Sequence, residues 1–201
     1  MQLFHLVRET FVFVMANLFD ITLVTVAWLL LQLPIITAPA ATVGLFYFAR
    51  QALLQDEAQF KDFIQGMRRF FWKSWPIVLP LALLVLVLAH DIVFFLAQDQ
   101  PINRLWASIP MALLSFLLVM QNYVFVFFVR EDGALWTSLK KAFLLAISNP
   151  IFTFVLLLLT LLYFLALYVT KIGLAIVFVG PVAVLQSKAV QQLLASRGVE
   201  F

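Results

Sequence analysis

Two groups of side chains could do chemistry in this chain. His90 and Asp91 are adjacent in a long apolar run, and a histidine beside a carboxylate can relay protons. Asp20, Arg50, Gln121, Asn122, Gln186 and Lys188 are the second group, polar residues inside or at the ends of apolar stretches. Ionisable groups in such stretches are expensive to bury and mark functional positions first. If the six fall at one end of a helical bundle, they can converge on a single inward-facing polar pocket. Each group also has a plainer reading. Neighbouring helical residues point in different directions, so His90 and Asp91 could serve two separate interfacial contacts. Arg50 and Lys188 could snorkel to headgroups while Asp20 sits at the interface and the amides hold helices together.

Catalytic patterns are missing. The 201 residues include no cysteine and two histidines, His5 and His90, which the topology below puts at opposite membrane faces, so no His-based metal cluster is expected. Asp20 and Asp91 fall near opposite faces too, which leaves no aspartyl dyad. No Gly-x-Ser-x-Gly elbow or phosphate-cradling glycine loop occurs. The chain reads as a non-enzyme without a cofactor.

These residues need elements to carry them, and the composition decides which kind. The chain is 65% hydrophobic and 11% charged, with a mean hydropathy of +1.07. A soluble domain is about 45–50% apolar and about 25% charged. So small a globule cannot bury that excess, and much of it must face lipid. The expectation is an all-α membrane protein, a polytopic bundle of about six transmembrane helices with amphipathic helices at the cytoplasmic interface. As one domain over 1–201, the spans are expected at about 17–33, 37–54, 76–97, 108–129, 150–170 and 174–194. The alternative has five, with the first hairpin re-entrant.

Residues 1–33 as one helix would be about 50 Å long, more than a bilayer core needs. Laying 2–14 along the interface and starting the span near Asn17–Asp20 resolves this. Pro34 helps end that span, and Pro39 suits the first turn of the next, with Thr37 placed to cap it. Residues 57–75 are amphipathic: Phe60, Phe63, Ile64, Met67 and Phe71 share one helical face, and Lys61, Asp62, Gln65, Arg68 and Arg69 fill much of the rest. Glu57 and Lys61 have the spacing of a helical ion pair. A helix of this kind suits the membrane plane. A second amphipathic stretch, 134–148, carries Lys140 and Lys141, with Asp132 near its start. Lys61, Arg68, Arg69, Lys73, Lys140 and Lys141 thus form a candidate surface for anionic lipid or a cytoplasmic partner. Embedded between spans, the surface does not suit nucleic acid.

The basic residues alternate between sides. With the N-terminus inside, the inner face holds Arg8, Arg50, Lys61, Arg68, Arg69, Lys73, Arg130, Lys140, Lys141, Lys188 and Arg197, against Arg104 and Lys171 outside. That asymmetry predicts a multi-pass protein of the inner (cytoplasmic) membrane with both termini cytoplasmic.

Several stretches now stand out together: Trp28-Leu-Leu-Leu-Gln-Leu-Pro34-Ile-Ile-Thr37-Ala-Pro39-Ala, Gly44-Leu-Phe-Tyr47-Phe, and Phe60-Lys-Asp-Phe63-Ile-Gln-Gly-Met-Arg-Arg-Phe-Phe. Later come Leu135-Trp-Thr-Ser-Leu-Lys-Lys-Ala-Phe-Leu-Leu-Ala, Asn149-Pro150 and Gly180-Pro181. In these the chain resembles the YesL-like family of bacterial membrane proteins, whose molecular function is not established. It departs from the family pattern at Ala38, where glycine is usual, and near Thr25, where asparagine is usual. The resemblance implies a setting in carbohydrate uptake and carries over no site residues. Two functions follow as expectations. One is an accessory or permease-like component of carbohydrate uptake, partnered by a transporter or other membrane protein. The other is a non-transporting structural or regulatory protein that docks a cytoplasmic partner through its amphipathic helices.

Overall fold

The computed structural model describes the backbone of residues 2–55, 57, 59–98, 101–170, 175–196, 198 and 199, and within these the side chains of all but 2–5, 101, 163–170 and 175–178. The expected turn at 171–173, Arg197 and the side chain of His5 lie outside the described residues. Those residues form α-helices and no strands: α1 (Gln2–Ala16), α2 (Leu18–Gln32), α3 (Ala38–Gln55), α4 (Phe60–Phe70), α5 (Trp75–Leu96), α6 (Pro101–Arg130), α7 (Leu135–Ser148), α8 (Pro150–Thr170) and α9 (Ala175–Ala195).

The breaks fall at residues that cannot continue a helix. Asn17, out of helical geometry at φ −115° and ψ 28°, turns α1 into α2 through 89°. Between α2 and α3, Thr37 works differently from the expected cap. Its hydroxyl donates to the Leu31 carbonyl (2.6 Å) and the Pro34 carbonyl (3.0 Å), closing the end of α2, while its own carbonyl receives the Ala41 amide that opens α3. Pro101 takes the first helical position of α6, where its missing N–H costs nothing. That helix therefore starts well before the expected 108. Helix α4 is shorter than the 57–75 stretch because Gln59 is extended. Glu57 precedes the helix and accepts from the Gln59 amide (3.0 Å), so it is not placed for the expected helical pair with Lys61.

Helix α3 is the centre of the molecule. Ala40, Ala41, Val43, Phe48, Ala49 and Ala52 are fully buried, and α2, α4, α6 and α9 pack around it. Enclosed by protein, α3 can carry Thr42, Gly44, Arg50 and Gln51 and still sit inside an apolar bundle. Helix α5 packs on α6 and keeps Leu79, Leu83, Leu86 and Val87 exposed, a surface suited to lipid. Helix α7 buries Ser138, Ala142, Leu145 and Ala146 and runs back along α6. Phe143 meets Phe116 edge to face at 5.8 Å, about 20 Å up α6 from Arg130. It leans on α6 along much of its length, where a purely interfacial helix was expected.

By length and apolarity, α5 and residues Ile102–Arg130 of α6 can each cross a membrane. The bent pairs α1–α2 and α7–α8 (104°) raise the number of candidate spans to four among the described residues, short of the six expected. The shortfall includes α3, whose shielded polar residues lower its apolarity.

The amphipathic helix α4 differs most from expectation. Its buried face is Asp62, Phe63, Gly66 and Phe70, rotated from the expected lipid-facing side of Phe60, Phe63, Ile64, Met67 and Phe71, of which protein covers Phe63 fully and the others in part. Glycines on both helices allow this. A Cβ on Gly44 would lie 3.1 Å from the Met67 nitrogen, and one on Gly66 would lie 2.6 Å from the Tyr47 Cβ. With the backbones that close, Phe70 reaches both Tyr47 of α3 (6.0 Å between centroids) and Phe128 of α6 (5.9 Å). Phe71, expected on the buried face, is only partly covered.

Candidate functional site

Of the six residues expected to share a pocket, the structure joins two. The Gln186 amide on α9 donates to Asn122 Oδ1 on α6 at 2.8 Å, and Thr160 of α8 donates to the same oxygen at 3.4 Å. Asn122 returns its own amide hydrogens to the Leu118 and Val119 carbonyls (3.3 and 3.2 Å). Asn122 is fully buried and Gln186 is 4% exposed. Tyr123, the next residue on α6, and Thr153, about two turns along α8 from Thr160, share a buried hydroxyl contact of 2.9 Å. Helices α6, α8 and α9 are thus tied by amides and hydroxyls bonded to each other. In a low-dielectric interior such bonds act as glue between helices.

The other four lie elsewhere. Asp20 Oδ1 receives the Phe60 amide at 3.1 Å, capping the first turn of α4. Lys188 faces α1, with Nζ 3.8 Å from Glu9 Oε2 and 5.7 Å above the Phe13 ring. Arg50 sits within electrostatic reach of Arg130, Tyr47 and Arg69. Gln121, next to Asn122, turns to a half-exposed side. His90 Nδ1 approaches Asp91 Oδ1 to 3.8 Å, beyond hydrogen-bond reach, and the imidazole, 78% exposed, stacks on Phe94. The pair is a surface feature of α5.

The charged end of the bundle is built around the turn after α6. Asp132 adopts the left-handed conformation (φ 50°) and is followed by Gly133 (φ 85°). The Gly133 amide bonds the Phe128 carbonyl (2.8 Å) and the Asp132 amide bonds the Val129 carbonyl (3.4 Å), a Schellman closure. Aspartate tolerates that conformation better than most residues. A Cβ on Gly133 would meet Lys73 Cδ at 2.7 Å, which keeps the position small. The turn aims the Asp132 carboxylate at α4. Lys73 Nζ lies 3.1 Å from Oδ2 and 2.9 Å from the backbone carbonyl; Arg69 contributes Nη2 at 2.9 Å and Nε at 3.0 Å to Oδ1. The hydrogen bond from Lys73, then that from Arg69, holds the Asp132 carboxyl below its ordinary range, and the bond to Asp132 raises Arg69. Glu131, the preceding residue, pairs with Lys141 of α7 at 2.7 Å. Asp132 therefore serves α4, and not the start of α7 as its sequence position suggested.

Three of the six candidate docking cations, Arg69, Lys73 and Lys141, are thus engaged within the protein. Lys61, Arg68 and Lys140 stay exposed. Lys61, Ile64, Gln65, Arg68 and Arg69 line a shallow groove along α4, and Trp72 beyond it is 80% exposed. Beneath this face lies Asp62, 4% exposed, with Oδ2 making no hydrogen bond. Burial pushes its carboxyl above the ordinary range, opposed by Lys61. No group of three or more His, Asp or Glu side chains able to hold a metal occurs among the described residues.

Residues 21–92 match the family described as "Protein of unknown function, DUF624". The matched segment runs through α2, α3 and α4 and most of α5, and so contains the Gly44–Gly66 crossing and Asp62. No curated protein and no solved structure matches the chain.

The sequence pattern assigns no contact to Thr153 or Thr160, and Thr25 stands out in it only as a departure from the YesL-like pattern. Thr25 Oγ1 donates to the Ile21 carbonyl (2.8 Å) and accepts the Gly180 amide (3.1 Å), joining α2 to α9. A buried threonine bonded to its own helix is common in apolar segments, and nothing in the pattern separates it from one that also reaches a neighbour. The one available signal was Gly180-Pro181, since a proline in α9 disturbs the backbone ladder there.

Proposed function

We propose that this is a non-transporting structural or regulatory membrane protein that docks an acidic segment of a cytoplasmic partner on the exposed face of α4. The observation that carries this reading is that α4 is fixed to the bundle at both ends, by Asp20 on the Phe60 amide and by Asp132 on Arg69 and Lys73. A helix that only anchored to lipid would bury its apolar face in the bilayer. Here protein covers Phe63 and Phe70 and packs in part against Phe60 and Ile64, and the surface left open carries Lys61, Gln65, Arg68 and Trp72. Cations beside an aromatic suit a carboxylate-rich partner.

In this reading the chain makes six crossings of the inner membrane with both termini cytoplasmic, and the YesL-like resemblance extends beyond residues 21–92. The charge asymmetry supports the orientation. A permease path would need polar groups open to water, whereas Asn122, Gln186 and Thr160 satisfy one another. A link to carbohydrate uptake is then best expressed through the partner, a transporter whose cytoplasmic surface α4 engages. The test is a photo-crosslinker at Gln65 in cells, with and without Lys61→Glu and Arg68→Glu. One dominant protein adduct, lost on charge reversal, supports the proposal; lipid adducts alone, or an adduct indifferent to the reversal, would refute it.

A further inference from the structure

A second feature of the charged end lies away from α4, where α1 crosses α9. Arg8, Glu9, Val12, Phe13, Ala16, Asn17, Leu53, Lys188 and Gln191 enclose a groove of about 690 Å³ at the elbow between α1 and α2. Its walls divide by chemistry: Val12, Phe13, Ala16 and Leu53 are apolar, while Arg8 and Lys188 bring cations to the same opening.

Lys188 is the informative residue. Its side chain is 17% exposed, so most of it has left water. Its contact with Glu9 is 3.8 Å, too long for a hydrogen bond, and no hydrogen bond from its ammonium is found among the described residues. Its ammonium opens on the groove, where it has three N–H donors to offer a ligand. The Phe13 ring face, 5.7 Å away, offers attraction to the cation but no lone pair. Arg8, exposed on the next turn of α1 from Val12, adds a second cation. An oxyanion with several acceptor oxygens would satisfy both.

The surroundings name the source of that oxyanion. Helix α1 turns 89° from α2, so wherever α2 crosses the bilayer α1 lies along its surface. Leu6, Thr10 and Val14 face the bundle; Phe11, Val12 and Met15 are open on the other side. Apolar exposure continuous with a cation-lined groove at headgroup depth matches a phospholipid, with phosphate among the cations and acyl chain along Val12 and Phe13. We propose that this groove is a binding site for one anionic phospholipid, whose phosphate is held between Lys188 and Arg8. Glu9 orients the Lys188 ammonium and lowers the net charge of the site, which favours a singly charged phosphodiester over a more highly charged headgroup. The inference does not depend on the docking role of α4.

The test uses the full chain, purified in a neutral detergent and delipidated, with its melting temperature followed as phosphatidylglycerol, phosphatidylcholine or inorganic phosphate is added. Phosphatidylglycerol should raise the melting temperature and the other two should not. Arg8→Gln and Lys188→Gln should each weaken the phosphatidylglycerol response about fivefold in concentration, the effect of one cation near a membrane surface. Glu9→Gln should strengthen it, and Lys61→Gln with Arg68→Gln should leave it unchanged. An equal response to phosphatidylcholine, a response to inorganic phosphate alone, or a response that survives Arg8→Gln with Lys188→Gln would overturn the proposal. Should the Lys188 variant fail to fold, a photoactivatable phosphatidylglycerol keeps the test open on the wild-type chain. Adducts within residues 8–17 and 186–191 support the site, and adducts spread over the lipid-facing helices overturn it.

Discussion

Replacing Asn122 by leucine isolates what the interior polar residues do. The substitution removes the acceptor of the 2.8 Å bond from Gln186 and of the longer 3.4 Å contact from Thr160. Thr160 loses little, because its hydroxyl also donates to the Leu156 carbonyl at 2.9 Å. Gln186, 4% exposed, loses the acceptor of its amide. Hydrogen bonds between membrane helices average ~0.6 kcal/mol and reach ~1.7. A stranded buried donor costs roughly 1–3 kcal/mol. Because these overlap, Asn122→Leu should destabilise the protein by about 2 kcal/mol. Gln186→Leu should cost about 1, since Asn122 Oδ1 keeps Thr160. The double variant should cost less than the two singles together, with a coupling of about 1 kcal/mol. Gln121→Leu, one position away and outside the network, should stay within about 0.5 kcal/mol. Unfolding of the protein in bicelles, followed by the fluorescence of its five tryptophans, measures each value. Zero coupling between Asn122 and Gln186, or an unchanged Asn122→Leu variant, would refute the reasoning.

Close helix contacts give a second set of expectations. Gly180→Ala would place a Cβ 2.7 Å from Ile21 Cγ2, 2.9 Å from Thr25 Oγ1 and 3.2 Å from the Ile21 carbonyl, and should cost about 1–3 kcal/mol in the same unfolding assay. Gly66→Ala should cost a similar amount by forcing α4 off Tyr47. The Asp132 clamp is half-exposed and should contribute less than about 1 kcal/mol, weakening with salt. Its carboxyl pKa is lowered on folding, so that contribution is complete above the unfolded value of about 4 and disappears as pH falls through the folded value. Asp132→Asn should thus flatten the acid limb of the stability curve. Asp62 has the opposite sign: its pKa is raised, so its charged form opposes folding near neutral pH. Asp62→Asn should raise the melting temperature at pH 7, with the gain vanishing as the wild-type carboxyl becomes protonated.

Helix positions were legible because they depend on local signals. Asn17 and Asn149-Pro150 break helical continuity where expected, whereas Pro101 opens α6 seven residues before the expected 108. What covers each helix was harder to read. The spacing of Phe60, Phe63, Ile64 and Met67 in α4 shows an apolar face, but the same face can meet lipid or protein. Gly44 and Gly66 decide for protein by letting two backbones approach, and they lie 22 residues apart with no periodic sign that they face each other. The candidate pocket dispersed for a related reason. Asp20, Asn122 and Lys188 were placed at one end of the bundle by their depth along separate helices. Depth does not fix rotation, and rotation sends Asp20 to α4, Asn122 to Gln186 and Lys188 to α1. Asp132 shows the limit most plainly. Its distance from α7 suggested a helix-dipole role, whereas its left-handed backbone turns the carboxylate toward Arg69 and Lys73.

The absence of cysteine makes one measurement especially direct. Single variants Asn122→Cys, Gln186→Cys and, as an exposed reference, Gln65→Cys can be treated with a water-soluble, membrane-impermeant maleimide in membranes open on both sides. If the interior amides hold helices together, Gln65→Cys should label fully while Asn122→Cys and Gln186→Cys stay unlabelled until the protein is unfolded. Rapid labelling of Asn122→Cys in the folded protein would mean that water reaches the centre of the bundle, and would contradict the account.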